Sequence, residues 1–139
     1  MPRTMAYKLY KQRILILVHT KDSPADAEWA AYLADARTWR DKIEGFLVVT
    51  EGGGPNTLQR GEMNDVLEAE KRGGKTAVVT LSRIARGIVT ALSWFNPGIK
   101  AFSTINVPAA LDYLNVPKPD QDGLMMELKR LKGELGITS

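Results

Sequence analysis

Residues 43–55 read I-E-G-F-L-V-V-T-E-G-G-G-P and decide the fold class of this chain. The run from Phe46 to Val49 is short and entirely apolar, which is typical of a strand buried on both faces of a sheet. The three glycines and Pro55 that follow favour neither helix nor strand and predict a loop. Because such strand-loop units build α/β sheets, we expect similar units on either side of this one.

Three more apolar runs predict strands over residues 14–18, 75–81 and 99–102. Residues 5–13 carry no strand prediction. Apolar residues at helical spacing predict a helix after each strand. We expect these helices to begin at Ser23-Pro24, at Asn56 or Thr57, at Ser82 and at Asn106. The inner face of the first helix is predicted to contain Ala25, Trp29, Tyr32, Leu33, Ala36 and Trp39, and that of the third Ile84, Ala85, Ile88, Val89, Leu92 and Phe95. Gly73-Gly74 is predicted to end the second helix.

The alternation of strands and helices predicts a three-layer α/β domain over residues 1–116. Its sheet is expected to be mostly parallel, with four to five strands and helices on both faces. Pro117-Lys118-Pro119 is predicted to be a stiff linker, and residues 117–139 to carry this linker and a C-terminal amphipathic helix. Leu124, Leu128 and Leu131 lie on one stripe of that helix. This stripe is expected to dock either on its own domain or on a second subunit, as in a homodimer.

Composition excludes several classes of function. The chain has 139 residues, 44% of them hydrophobic, no cysteine and one histidine, so disulfides, thiolate chemistry and a nitrogen–sulfur zinc site are excluded. We predict no cofactor. The net charge is +3 and basic residues alternate with acidic ones, so nucleic-acid binding is not the first interpretation. No apolar run is long enough for a signal peptide core or an integral membrane segment, which favours the cytoplasm.

Several stretches between residues 46 and 114 resemble the STAS domain, the family of sulphate transporter domains and anti-sigma factor antagonists. They are Phe46-Leu47-Val48-Val49, Asn56-Thr57-Leu58, Gly73-Gly74-Lys75-Thr76-Ala77-Val78-Val79, Ser82-Arg83-Ile84-Ala85, Ile99-Lys100-Ala101-Phe102-Ser103 and Ala109-Ala110-Leu111-Asp112-Tyr113-Leu114. The first strand and helix resemble the stand-alone bacterial SpoIIAA-like branch. The resemblance implies a non-enzymatic signalling domain that acts by association with a partner protein. Asn56-Thr57 stands where the family has Asp-Ser, so Thr57 is the candidate phosphoacceptor.

The loop at Gly52, Gly53 and Gly54, with Asn56 and Thr57 after it, is the candidate binding site for a partner or an anion. Ligands of open α/β sheets bind beyond the carboxyl ends of the strands, and a helix N-terminus attracts anions. Arg83 and Arg86, predicted to be exposed on the third helix, are expected to lie nearby and attract an acidic partner or a phosphate. The alternative is that Asn56 or Thr57 is only an N-cap and the glycines only a turn. A nucleotide loop is a weaker alternative, because the glycine spacing of such motifs is absent.

Two further interpretations stay open. His19 and Glu51 end neighbouring strands and would form an acid–base pair if the chain is a small enzyme, although a structural histidine is the commoner case. Trp94 falls outside the apolar stripe of its helix, so it is predicted either to anchor an interface or to pack under the turn at Asn96-Pro97.

Overall fold

Five strands form one sheet within residues 3–67, 75–93 and 98–137, which this computed structural model describes. They are β1 (Met5–Tyr10), β2 (Ile14–His19), β3 (Gly45–Thr50), β4 (Lys75–Val79) and β5 (Ile99–Phe102), and their order in the sheet is their order in the chain. Strands β2 to β5 are parallel, as predicted, and β1 pairs antiparallel with β2. The predicted α/β class with a mostly parallel sheet is therefore confirmed.

The same described ranges contain five α-helices. They are α1 (Asp26–Trp39), α2 (Thr57–Leu67), α3 (Arg83–Ser93), α4 (Val107–Tyr113) and α5 (Lys118–Glu134), with a 3-10 turn at Thr104–Asn106 before α4. Two hydrophobic clusters lie on opposite faces of the sheet. Leu15 and Leu17 of β2 face α1, whereas Ile16 and Val18 belong to the cluster that includes α4 and α5. Helices on both faces explain why every residue of β2 is buried and why Ile14 to Val18 are all apolar.

Helix α1 begins later than predicted. Its first helical residue is Asp26, and Ala25 precedes it with an extended backbone, so the predicted cap at Ser23 and first turn at Pro24 are wrong. Pro24 is buried instead, and its carbonyl oxygen accepts a hydrogen bond from the Gln59 side chain of α2. Ala25 is exposed, whereas Trp29, Tyr32 and Ala36 are buried as expected.

The predicted linker at Pro117-Lys118-Pro119 is the start of α5. Pro117 is the N-cap, and Lys118 and Pro119 lie in the first turn. The N–H groups of a first turn have no acceptor within the helix, so a proline there costs no hydrogen bond. Leu124, Leu128 and Leu131 are buried in the same cluster as Leu111 of α4, so the stripe docks on its own domain. Their burial leaves none of the three available as an interface residue. Trp94 and Gly73-Gly74 lie outside the described residues.

Candidate functional site

A threonine ends β3 and directly follows β2 and β4, and each of the three forms the same local turn. Thr20, Thr50 and Thr80 recur every 30 residues along the chain. The Oγ1 atom of each accepts a hydrogen bond from the backbone N–H two residues later, over 3.3, 2.9 and 3.0 Å respectively. This turn lets the chain leave the sheet in the same way at each strand end. The regular spacing of the threonines is a signal that sequence analysis missed.

The glycine loop after β3 is packed tightly against the loop after β2. Gly52 and Gly54 have φ angles of +132° and +145°, which residues with a side chain rarely adopt. Gly53 has no such angle, but a Cβ there would lie 2.5 Å from the carbonyl oxygens of Thr20 and Asp22. The Gly53 N–H donates to Thr20 over 2.9 Å, and the Thr50 hydroxyl donates to the Gly53 carbonyl over 2.6 Å. The backbone conformation therefore accounts for glycine at positions 52 and 54, and close packing accounts for glycine at position 53.

Helix α2 starts with a reciprocal cap. The Asn56 Oδ1 accepts from the Gln59 N–H over 2.8 Å, and the Gln59 Oε1 accepts from the Asn56 N–H over 3.0 Å. Gln59 is only 2% exposed, and its Nε2 donates to the Pro24 carbonyl over 3.0 Å. Asn56 is thus the N-cap, one of the two predicted positions. The side chain of Thr57 is exposed, and its hydroxyl accepts from Arg60 over 3.1 Å.

Most backbone donors of the glycine loop already have protein acceptors. The N–H groups of Glu51, Gly52 and Gly53 donate to His19, Thr50 and Thr20, and that of Asn56 donates to Gln59. An anion or a nucleotide phosphate could use these four donors only by displacing these bonds. The geometry therefore favours a structural turn over a phosphate cradle.

Helix α3 starts beside this loop. The Ser82 Oγ accepts from the Ala85 N–H over 3.1 Å, which confirms Ser82 as the cap. A Cβ at Gly52 would lie 3.7 Å from the same Oγ, so the two loops are neighbours. Arg83 is exposed and Arg86 half-buried, so the prediction that both lie on the exposed face holds only for Arg83. Neither arginine side chain makes an ion pair with any residue in the described part of the chain.

Large apolar side chains stand in solvent around the carboxyl ends of β3, β4 and β5. Ile84 is 78% exposed and Ile105 85% exposed. We call the whole group the apolar rim; its members are Leu58, Leu81, Ile84, Ile88 and Ile105. The prediction that Ile84 and Ile88 face inward is wrong, because Ala85 and Val89 occupy the side of α3 that meets the sheet. Leu81 was predicted to end the third parallel strand, but β4 ends at Val79 and Leu81 is exposed. Ile105, which follows β5, had no predicted role.

His19 is a buried structural residue. It is 2% exposed, and its Nδ1 has no hydrogen-bond partner in the part of the chain that the structure describes. Burial lowers its pKa to about 4, against a smaller opposing effect of the Glu28 charge. Glu51 is exposed and makes no side-chain hydrogen bond with His19. The geometry therefore gives no support to an acid–base pair. Among the described residues, no three His, Asp or Glu side chains are grouped so that they could hold a metal ion.

None of the helices in the described ranges is long and apolar enough to cross a membrane. Comparisons with protein-family models, with curated proteins and with solved structures found no match.

Proposed function

We propose that this chain is a non-enzymatic regulatory domain of the STAS-like type, which acts in the cytoplasm by binding a partner protein. The observation that carries the proposal is the apolar rim. Exposed isoleucines and leucines that gather at one end of a sheet mark an interaction site more often than chance exposure does. Carboxyl ends of parallel strands are also the usual place for ligand contacts in this fold class.

The STAS-like part of the proposal is supported by the element order. The resemblance implies a certain order of elements along the chain. The structure has a mostly parallel sheet, with a Ser82-capped helix followed by a short fourth parallel strand, in that order. The non-enzymatic part is supported by the surroundings of His19 and Glu51, which form no acid–base pair. A small anion- or nucleotide-binding protein remains the second candidate, and the occupied backbone donors of the glycine loop argue against it.

Thr57 supports a phosphorylation switch at the same edge. Thr57 is exposed and is the first residue of α2, so a phosphate on its hydroxyl would lie at the positive end of the helix dipole. Arg60 already reaches this hydroxyl and would pair with the phosphate. The added negative charge would lie next to Leu58 of the rim and change what the rim can bind.

The test immobilises the full chain and exposes it to an extract of the cells that produce it. The rim variant combines Ile84→Ser with Ile105→Ser, and the matched control is Met126→Ser, since Met126 is 74% exposed on α5. The proposal predicts a protein that the wild type and the control retain and the rim variant loses. Equal retention by all three, or no retained protein, would contradict it.

A further inference from the structure

Helix α3 presents three different faces. Because successive residues of an α-helix are rotated by about 100°, positions can be sorted by direction. One face packs on the sheet and contains Ala85 and Val89. The neighbouring face is apolar and exposed and contains Ile84, Gly87, Ile88 and Ala91. The third face is polar and contains Arg83, Arg86 and Thr90. The exposed apolar face therefore lies directly beside the apolar face that the domain covers.

Gly87 lies at the edge of the exposed apolar face, next to the polar face, and Ile84 and Ile88 both lie on its other side. A Cβ at this position would meet nothing within 4 Å, so no contact inside the domain requires a glycine. A glycine inside a helix costs about 1 kcal/mol relative to alanine. The position leaves the backbone of α3 open to close approach by another helix, with the two isoleucines on one side and Arg83 on the other.

Within the described residues, no carboxylate pairs with the basic side chains at this edge. Arg83 and Arg86 occupy the first turn of α3, which has no acidic residue, and positive charge is unfavourable at that end of the helix dipole. Among the described residues, Arg60 in the first turn of α2 donates to the Thr57 hydroxyl and to the Pro55 carbonyl and pairs with no carboxylate. By contrast, Arg3, Arg13 and Arg130 elsewhere on the domain each contact a carboxylate.

We infer that the partner of the apolar rim is an amphipathic helix with acidic residues beside its apolar face. This inference rests on the proposed function and adds the chemistry of the partner. The apolar face of such a helix would cover Ile84 and Ile88, its backbone would approach α3 at Gly87, and its carboxylates would pair with Arg83 and Arg86. A second copy docking through its own α3 fits poorly, because α3 contains no Asp or Glu to meet the arginines.

The probes are two synthetic helical peptides of about 18 residues, or five turns. Both carry leucines at positions i, i+3, i+4 and i+7; one has glutamates beside this stripe and the other lysines. Binding is measured by fluorescence anisotropy at low salt and mapped by backbone amide NMR shifts. We expect the acidic peptide to bind at least about tenfold more tightly, with shifts centred on α3. Arg83→Glu with Arg86→Glu should remove that preference, whereas Ile84→Ser should weaken both peptides.

Three outcomes overturn the inference: equal binding of the two peptides, binding of neither, or shifts confined to surfaces away from α3. Sedimentation of the wild type as a dimer that Ile84→Ser dissociates would also overturn it, since a second copy would then cover the face. If the peptides show no charge preference while the rim variant still loses its extract partner, the proposed function stands and only the acidic helix fails. If the rim variant keeps that partner, the proposed function itself fails.

Discussion

Replacing Gly53 by alanine tests how the glycine loop is held at the sheet edge. The new Cβ would lie 2.5 Å from the carbonyl oxygens of Thr20 and Asp22, so the two loops must separate by about 0.9 Å to restore ordinary contact. That movement would stretch the 2.9 Å bond from the Gly53 N–H to Thr20. Overpacking costs about 1–3 kcal/mol and the lost hydrogen bond about 1 kcal/mol more. We therefore expect Gly53→Ala to lower the free energy of unfolding by about 2–4 kcal/mol.

Gly61→Ala is the matched control for this substitution. Gly61 lies inside α2 and is exposed, and a Cβ there would meet nothing within 4 Å. The same added methyl group should therefore raise the free energy of unfolding by about 0.5–1 kcal/mol, because alanine is the better helix former. Urea unfolding followed by far-UV circular dichroism measures both changes. An unchanged or more stable Gly53→Ala protein would refute the reasoning that the two loops are in close contact.

Three other predictions concern the interior. His19 binds its proton more weakly in the folded than in the unfolded chain, so stability should fall by about 2 kcal/mol from pH 7 to pH 5. That slope, measured by urea unfolding at each pH, should disappear in His19→Leu; a slope of equal size in both proteins would assign it to other groups. Gln59→Leu leaves the Pro24 carbonyl and the Asn56 N–H without their side-chain partner. It should lower the free energy of unfolding by about 2–3 kcal/mol, against about 1 kcal/mol for Asn56→Ala. Equal urea midpoints for these two variants would show that the hydrogen bond from Gln59 to the Pro24 carbonyl contributes little to stability. In thermal unfolding, Leu128→Ala should lower the free energy of unfolding by about 2–5 kcal/mol and Met126→Ala by under about 0.5 kcal/mol. Equal losses in the two variants would contradict the packing of α5 in the core.

The apolar runs predicted β2, β3 and β4 well because these strands are covered on both faces, so almost every residue carries the same signal. Strand β1 escaped prediction for the opposite reason. It is an edge strand that mixes Tyr7 and Lys8 with buried residues, and it turns into β2 through Lys11 and Gln12, which adopt positive φ angles without a glycine to mark the turn.

The candidate site was predictable in place but not in detail. Parallel strands bring their carboxyl ends together, so the loop at Gly52 and the start of α3 could be expected to be neighbours. Periodicity groups Ile84 with Ile88 but does not say which part of a wide apolar arc the sheet covers. The long-range contacts of Gly53 and Gln59 with the loop after β2 depend on how two separate loops meet, and no local pattern contains that information.

Photo-cross-linking in living cells gives the most direct test of the claim that the apolar rim is a docking face. A photoreactive phenylalanine analogue is placed at position 84, at position 105 or, as the control, at position 126 on α5. The account predicts that positions 84 and 105 cross-link to one and the same partner protein, which is not another copy of this chain, and that position 126 gives no cross-link. Cross-links from position 126 alone, or none from the rim, would contradict it.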